Sequence, residues 1–361
     1  MKKVCNCILI IIALFITSCK NSPISSTKQY DSGEFSQPLN LVQLHAVQPT
    51  NVDDYRQQIA LIKLTSPSLY KKNAEIYTAI EQWLNTDMIN FGLNHVGLNS
   101  YQLAGIDNFG NTHFTSYYTP ELKARRVRDE KFRYPLYTMP THWKGKLPSR
   151  RDIYLGALDG LNLELAYTDS LIDNFLMEVQ GSAYIDFEDG SPMVFFGYNG
   201  KNRHKYKSIG RLMVEQGIID KPSMSMKSIK EWANQQTESD LIHFLQQNES
   251  FVFFTPKLSA PVVGSSGVPL VAKSAVAADN ILLAPGSVLL VEIPLLNQQG
   301  RFTGHRELRL MVVLDVGGAI KGQHLDIYQG IGQVAGQLAG FYNHYGRVWL
   351  IAPAHNSHIK S

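Results

Sequence analysis

The stretch LMVVLDVGGAIKGQHLDIYQG, residues 310–330, joins two apolar runs through a glycine-rich loop. The first apolar run ends in Asp315, and a second aspartate, Asp326, stands between Leu325 and Ile327. Carboxylates placed among apolar residues are costly to bury unless they are paired or used chemically. These two aspartates therefore carry information about both the fold and the function.

Three aspartates border strand-like runs in the C-terminal part of the chain, namely Asp279, Asp315 and Asp326. Any one of them could cap a turn by accepting backbone N–H groups. Asp326 fits that account least well, because its neighbours Leu325 and Ile327 are not turn residues. A carboxyl in apolar surroundings has a raised pKa and can hold its proton at neutral pH. That property suits a general acid that protonates a glycosidic oxygen, which makes Asp326 the first catalytic candidate.

The N-terminus predicts secretion. Lys2 and Lys3 precede the apolar run ILIIIALFI, and small residues follow before Cys19. This is typical of a signal peptide over residues 1–18, and the alternative, a membrane-spanning anchor, would need a longer apolar run. Residues 16–19, ITSC, also resemble a bacterial lipobox, with Ile where Leu is more common.

Lipidation of Cys19 would anchor the mature chain to a membrane through buried acyl chains. The next residue, Lys20, is not the aspartate that signals inner-membrane retention in enteric lipoproteins. By this resemblance we expect an anchor in the outer membrane, with the protein facing the periplasm.

Composition excludes several classes of function. Cys5 and Cys7 lie in the predicted signal, so the mature chain has no free thiol, disulfide or cysteine nucleophile once Cys19 is lipidated. The formal net charge of the 361 residues is +3, without a basic run, so we expect no nucleic-acid partner. His324 stands alone in the sequence, and the other histidines lack ligand spacing, so we expect no metal and no cofactor.

Regions of the chain differ in composition and in the spacing of their apolar residues. Residues 19–50 read as a polar tether, and apolar residues at helical spacing follow, with Pro67 separating two helices. NTHFTSYYTPEL alternates like a strand that ends at Pro120, helices are predicted from about Ser208 and Ser225, and strands return after Pro261. The pattern favours a mainly β chain with added helices, an α+β class, built as β-barrel lobes.

Other polar residues could contact a sugar. Tyr117, Tyr118 and Thr119 offer hydroxyls and an aromatic face, although Tyr118 could equally belong to the strand core. Tyr328 and Gln329, just beyond Asp326, are expected to line the same cleft.

Gln180, Gly181 and Ser182 read as a polar break in an apolar strand, suited to binding acetamido and hydroxyl groups. The alternative for that break is a β-bulge without a ligand.

Several motifs together resemble the membrane-bound lytic murein transglycosylase A family. They are SAVAADNILLAPGS, LDVGGAIKGQHLDIYQG, GFYNHYGRVW, FTSYYTP and VQGSAYIDFEDGSPMVFFGYNGKNRHKY, and they extend from about residue 108 to 349. The C-terminal motifs also resemble the wider group of three-aspartate domains on a double-psi β-barrel.

The resemblance implies a fold. A double-psi β-barrel lobe with N-terminal helices would be formed by residues 51–121 and 260–361. A second β-barrel lobe, residues 122–259, would be inserted, and glycan would lie in the groove between the lobes.

The resemblance also implies an activity, which is cleavage of the β-1,4 bond between N-acetylmuramic acid and N-acetylglucosamine in peptidoglycan. Water would not take part, because the muramoyl C6 hydroxyl closes on C1 to give a 1,6-anhydro end. Asp326 matches the family's catalytic aspartate, Asp315 its supporting aspartate and Asp279 the third.

A single catalytic carboxyl is chemically sufficient for such a reaction. Most glycosidases need a second carboxyl as nucleophile or as a base for water, but here the substrate supplies its own alcohol. Asp326 would donate a proton and later accept one. Asp315, the loop glycines and Lys321 would position it and tune its pKa.

Three alternatives remain open from the sequence. One is a hydrolytic muramidase of similar fold, in which Asp315 activates water. Another is a peptidoglycan-binding lipoprotein without activity. The third is a scaffold that assembles other cell-wall enzymes.

Overall fold

The chain is described here by a computed structural model. It describes residues 28–31, 34–38, 48–85, 92–220, 224–258 and 260–354. The predicted signal peptide and Cys19 lie outside these residues. Within them, no helix combines the length and the apolar composition needed to cross a membrane.

The strands, in chain order, are β1 (Lys28–Asp31), β2 (Glu34–Pro38), β3 (Leu98–Gln102), β4 (Thr112–Thr119), β5 (Glu121–Arg125), β6 (Tyr134–Tyr137), β7 (Glu164–Thr168), β8 (Ala183–Asp186), β9 (Val194–Lys201), β10 (Val252–Leu258), β11 (Ala275–Ala278), β12 (Val288–Leu296), β13 (Phe302–Asp315), β14 (His324–Ile331), β15 (Asn343–Gly346) and β16 (Val348–Pro353). The α-helices are α1 (Val52–Thr65), α2 (Pro67–Asn85), α3 (Arg150–Tyr154), α4 (Leu171–Gln180), α5 (Ile209–Glu215), α6 (Met226–Ala233), α7 (Glu238–Leu245) and α8 (Gly332–Phe341). The predicted α+β class is confirmed.

The larger sheet has eight strands in the order β15-β4-β14-β11-β13-β12-β16-β3. Strand β14 pairs parallel with β4 and antiparallel with β11, and β11 pairs parallel with β13. We call this sheet, with α1, α2 and α8, the core lobe. Asp315 is the last residue of β13, and Asp326 lies within β14. This sheet therefore holds the candidate site.

The large sheet curls back on itself. Strands β15 and β16 are separated by Arg347 alone, yet β15 pairs with β4 and β16 pairs with β12. One continuous segment therefore joins strands from opposite ends of the order. The buried Arg347 side chain donates to Glu292 on β12, with both N···O distances at 2.7 Å. This curl brings side chains from distant strands into one interior.

Helices α1 and α2 cover one face of the core lobe. Ile62, Ile80 and Trp83 are buried in one cluster with Leu290 and Leu310 of the sheet. The predicted pair of helices separated at Pro67 is confirmed, since Ser66 ends α1 and Pro67 begins α2. Proline suits the first position of a helix because it needs no N–H partner there.

The smaller sheet has six strands in the order β10-β9-β8-β5-β7-β6. We call this sheet, with α3 to α7, the insert lobe. The chain enters it from β4 through Pro120 and leaves it after β10. The predicted domain boundaries near residues 121 and 260 stay a prediction.

Side-chain caps begin three helices of the insert lobe, and two of these, α5 and α6, start where the sequence predicted them. Ser208 caps α5, Ser225 caps α6 through a capping box, and Thr237 caps α7. Each hydroxyl accepts an N–H that the first helical turn leaves without a partner.

The predicted strand around residue 180 is wrong. Gln180 is the last residue of α4, and Gly181 ends the helix in the left-handed region, with φ 82°. Ser170 caps the start of this helix. Buried residues such as Ile172, Phe175 and Leu176 recur at helical spacing. The polar break is therefore a helix terminus, where glycine is favoured, and neither an interrupted strand nor a β-bulge.

Candidate active site

Asp326 is the third residue of β14, a strand paired on both sides. Its register partners are Thr115 on β4 and Ala277 on β11. Ala277 pairs in turn with Asp315 on β13, so the two carboxylates flank one alanine in the same row of the sheet. The partly exposed side chain of Asp326 has buried Leu325 and Ile327 on either side in sequence. The strand explains why this aspartate did not resemble a turn residue.

Burial raises the pKa of Asp326 to about 7, and the nearby charge of Asp315 adds to the rise. The hydroxyl of Thr115 opposes it by donating a 2.6 Å hydrogen bond to Oδ1. Desolvation disfavours the charged carboxylate, which is why the neutral acid persists to higher pH. Near neutral pH this group can both donate and accept a proton.

Asp315 accepts hydrogen bonds on both of its carboxyl oxygens. Oδ1 accepts from the backbone N–H groups of Ser265, at 2.8 Å, and Val316, at 2.9 Å. Oδ2 accepts from the Tyr117 hydroxyl at 2.9 Å. Burial raises the pKa of Asp315, and these hydrogen bonds counteract part of that rise. The arrangement fixes the carboxyl in place.

Tyr117 lies against a second tyrosine. Its ring centroid is 5.2 Å from that of Tyr328, and the Tyr328 hydroxyl lies 3.2 Å from Thr119 Oγ1. Tyr328 and Thr119 are buried, whereas Tyr117 is partly exposed. Burial together with the charges of Asp315 and Asp326 raises the pKa of Tyr117, so its hydroxyl remains a donor.

Asp279 anchors the glycine loop. Its Oδ2 accepts from Gly322 N–H at 2.9 Å, and its Oδ1 accepts from Ile281 N–H at 3.2 Å. These bonds lower the pKa of Asp279, with a smaller contribution from exposed Lys321. Asp279 therefore acts on the loop between Asp315 and Asp326 rather than on those carboxyls directly.

The remaining predicted residues lie in two places, at the end of α4 and within β14. Gln180 lies at the lobe junction, where its Oε1 accepts from Tyr118 N–H at 2.9 Å, and Gly181 and Ser182 follow at the same partly exposed helix end. Gln329 is buried, and its Nε2 has no hydrogen-bond partner within the part of the chain that the structure describes. Gln329 is three positions after Asp326 on β14, and residues an odd number apart on a strand point to opposite faces of the sheet.

Two polar residues at the site were not predicted. Thr115 lies beside Asp326, and its Oγ1 is also 2.9 Å from Nε2 of His324. The His324 ring stacks on that of His113, with centroids 4.4 Å apart. The alternation of side chains along a strand could have indicated both residues. Thr115 precedes Tyr117 by two positions and His324 precedes Asp326 by two, so each shares a strand face with a predicted residue.

Among the described residues, no group of three or more His, Cys, Asp or Glu side chains is arranged to hold a metal ion. A cavity of about 530 Å³ lies in the insert lobe, bordered by residues that include Tyr134, Tyr167 and Glu178. Its lining contains none of the predicted site residues.

Two segments of the chain match known protein families. Residues 113–255 match the family described as the MltA specific insert domain, and residues 274–352 match the 3D domain. The membrane-bound lytic murein transglycosylase A of Escherichia coli strain K12 is 49% identical over 345 residues, which cover 95% of this chain and 94% of that protein. The protein of that name from Vibrio cholerae serotype O1 is 40% identical over 334 residues, covering 92% and 90%.

Solved structures agree with these matches. A crystal structure of Escherichia coli MltA with bound chitohexaose superposes with a TM-score of 0.81 at 49% identity, covering 92% of this chain and 99% of that one. MltA from Neisseria gonorrhoeae superposes with a TM-score of 0.65 at 27% identity, covering 84% and 89%.

Proposed function

Since the chain belongs to the membrane-bound lytic murein transglycosylase A family, we propose that it cleaves peptidoglycan glycan strands by a non-hydrolytic route. The bond broken is the β-1,4 link between N-acetylmuramic acid and N-acetylglucosamine. The products are an N-acetylglucosamine end and a 1,6-anhydro-N-acetylmuramic acid end. The observation that carries the proposal is an aspartic acid, Asp326, whose pKa of about 7 lets it act first as acid and then as base.

The reaction needs one proton to leave Asp326 and one to return. Protonated Asp326 donates to the glycosidic oxygen as the bond from C1 to that oxygen breaks. The C6 hydroxyl of the same muramoyl residue then bonds to C1, and its proton passes to the Asp326 carboxylate. The enzyme is thereby returned to its starting state. Because nucleophile and electrophile belong to one sugar, the attack has a high effective molarity.

The geometry of Asp315 favours this route over hydrolysis. A hydrolytic muramidase would use Asp315 as the base for water, which requires a carboxylate oxygen free to take the proton. Asp315 instead accepts hydrogen bonds from Ser265, Val316 and Tyr117. These bonds take up acceptor positions on both carboxyl oxygens that a base for water would need, although burial keeps the pKa of Asp315 above its ordinary value. We assign it the role of fixing Tyr117 and the start of the glycine loop.

Glycan binding is supported by a relative. The Escherichia coli structure that superposes with a TM-score of 0.81 holds chitohexaose, a β-1,4-linked chain of N-acetylglucosamine. We propose that peptidoglycan strands bind here between the lobes. Tyr117, Gln180 and Ser182 would contact sugar, and Asp279 and Lys321 would hold the loop.

Membrane attachment is proposed from the N-terminus and the relatives. Similar proteins bear the name membrane-bound, and Cys19 follows a lipobox-like ITS. Acylation of Cys19 would tether the enzyme to the outer membrane, facing the periplasm. Cys19→Ala should yield a soluble or uncleaved form. Normal processing and unchanged membrane fractionation of that variant would refute the lipobox.

The mass of the products tests the reaction. Purified sacculi digested by the mature protein should release muropeptides lighter by one water than those released by a hydrolytic muramidase. Asp326→Asn protein is the matched control, because its side chain keeps the shape but cannot pass a proton. Reducing ends instead of anhydro ends would establish hydrolysis. Glycan binding without any product would favour the wall-binding lipoprotein.

A further inference from the structure

The cavity of about 530 Å³ in the insert lobe has no part in the proposed reaction. Sites for small molecules are typically concave, largely apolar and about 300–1,000 Å³ in volume. Aromatic and apolar side chains from β6, β7, β10 and the segment before β10 border this cavity, among them Tyr134, Leu136, Tyr137, Tyr167, Phe251 and Phe254. The volume and the lining are those of a ligand site.

One wall of the cavity includes a buried ion pair. Glu178 accepts from the Arg150 guanidinium at 2.8 and 2.9 Å and from Val252 N–H at 2.8 Å. The other Arg150 N–H groups donate to two backbone carbonyls and to the Tyr154 hydroxyl. A buried ion pair is tolerated when its remaining donors and acceptors are satisfied, as they are here. This wall is therefore held in place and adds no net charge to the cavity.

Tyr137 offers the cavity a polar group without a partner. The residue is 4% exposed, and its hydroxyl has no hydrogen-bond partner among the described residues. Its ring lies beside that of Phe251, with the centroids 6.2 Å apart. Burial raises the pKa of Tyr137, so the hydroxyl keeps its proton and can donate. Because an unsatisfied buried hydroxyl is costly, we expect it to bond to a group inside the cavity.

The cavity is also bordered by charged groups. Arg133 and Glu238 pair with each other, so they cancel. Three further charged residues at the border form no ion pair within the part of the chain that the structure describes, and they are Asp159, Glu164 and Arg128. All three lie close enough to Tyr137 for their charges to act on its hydroxyl. The open charges are thus two carboxylates and one guanidinium around an aromatic cavity.

We propose that this cavity binds the peptide that peptidoglycan carries on N-acetylmuramic acid, through a residue that bears both an ammonium and a carboxylate. Asp159 and Glu164 accept from the ammonium, and Arg128 pairs with the carboxylate. Tyr137 donates to a peptide carbonyl. A neutral sugar would stack on the rings but leave all three open charges without a partner. The inference rests on the proposed function, because the peptide arrives with the glycan strand.

Helix α4 relates the cavity to the junction of the lobes. Leu171, Asn174 and Glu178 line the cavity and share one helix face. Gln180 accepts instead from Tyr118 N–H on β4. Two residues turn a helix by about 200°, so the cavity and the junction lie on opposite sides of α4. A helix is about 10–12 Å wide, and four extended peptide residues span about 14 Å, which is long enough to pass from one side to the other.

A peptide without glycan tests the site apart from any turnover. The probe is N-acetyl-L-alanyl-γ-D-glutamyl-meso-diaminopimelate, whose one free amine belongs to diaminopimelate. Titrated calorimetrically into the mature wild-type protein, it should bind. The same peptide with that amine acetylated should bind about tenfold more weakly or worse, because the ammonium is lost. No binding of the unmodified peptide at millimolar concentration would overturn the inference, whatever the protein does to glycan.

Variants locate the peptide in the cavity. Asp159→Asn combined with Glu164→Gln should weaken its binding about tenfold, and Tyr137→Phe should weaken it by a smaller factor. Glu130→Gln removes an exposed carboxylate of the same lobe outside the cavity, so this matched control should bind as wild type does. Thermal unfolding checks that each variant is folded. Unchanged peptide affinity in both cavity variants would place the peptide elsewhere and overturn the inference.

Turnover distinguishes this inference from the proposed function. On soluble glycan strands that carry peptides, the double variant should raise KM and leave kcat unchanged. On strands stripped of peptide by an amidase, its KM should equal that of wild type. An equal KM on peptide-bearing strands, or a loss of affinity for chitohexaose instead of peptide, would overturn the inference. A wild-type protein that binds the peptide but yields no anhydro ends would reject the proposed function alone.

Discussion

The Tyr117 hydroxyl donates a 2.9 Å hydrogen bond to Oδ2 of Asp315, although their strands are three places apart in the sheet. Neighbouring strands lie about 5 Å apart, so a flat sheet would hold these residues beyond reach of each other. The bond is possible because the sheet curls. It ties the two edges of the candidate site together across the strand that carries Asp326.

Tyr117→Phe should weaken the site without destroying the fold. Asp315 would lose the hydrogen bond to its Oδ2, and a hydrogen bond to a charged group is worth about 1.5–3 kcal/mol. We expect a fall in kcat of about 10-fold or more, and a lower midpoint of thermal unfolding. Turnover on sacculi and calorimetry measure the two effects. Unchanged kcat and stability would show that this bond contributes nothing to the site.

Asp326 should control the pH dependence of turnover. The reaction needs the protonated acid, so activity should fall as pH rises through the pKa of Asp326, about 7. Asp326→Asn should lose about 10²–10⁴-fold in rate, the usual contribution of a positioned acid–base group. Circular dichroism checks that the variant folds. A profile that stays flat to strongly alkaline pH would contradict a protonated aspartic acid as the donor.

The raised pKa of Asp326 predicts that removing its carboxylate charge makes the folded state more stable. The folded-state pKa of Asp326 lies above its ordinary value of 3.8, so ionisation penalises the folded state as pH rises from about 4 to 7. Asp326→Asn should therefore be more stable than wild type at pH 8, by up to about 4 kcal/mol. The difference should disappear near pH 4. Denaturant unfolding at both pH values measures it, and equal stability at pH 8 would refute the raised pKa.

Asp326 could be identified from the sequence because its apolar neighbours, Leu325 and Ile327, are adjacent to it in the chain. Its partners were harder to predict, since Thr115 reaches it only through the parallel pairing of β4 with β14, 211 positions apart. No local pattern specifies that register. Helix α4 was missed for a different reason. Its start at Ser170 and its end at Gly181 were present in the sequence, but the apolar residues between them were read with strand periodicity.

Asp279 offers a test of loop anchoring separate from catalysis. Asp279→Ala frees the N–H groups of Gly322 and Ile281, so the glycine loop should become mobile and kcat should fall about 10-fold. Asp279→Asn keeps an acceptor oxygen and should lose less. Because the folded-state pKa of Asp279 is lowered, its contribution to stability should be lost as pH falls through that pKa. Hydrogen exchange at Gly322 reports the loop, and unchanged exchange in Asp279→Ala would refute the anchoring role.

Substitutions at Gln180 should separate its hydrogen bond with Tyr118 from its proposed contact with a sugar. Its Oε1 accepts from Tyr118 N–H, which joins the end of α4 to β4, and its amide N–H groups are available to a sugar. Gln180→Glu keeps an acceptor but loses the amide donors, so chitohexaose should bind more weakly while stability is preserved. Gln180→Ala removes both functions, so affinity should fall and stability should drop by about 1 kcal/mol. Calorimetric titration and thermal unfolding of the two variants measure the effects. If Gln180→Glu binds chitohexaose as tightly as wild type, Gln180 joins the lobes but does not contact glycan.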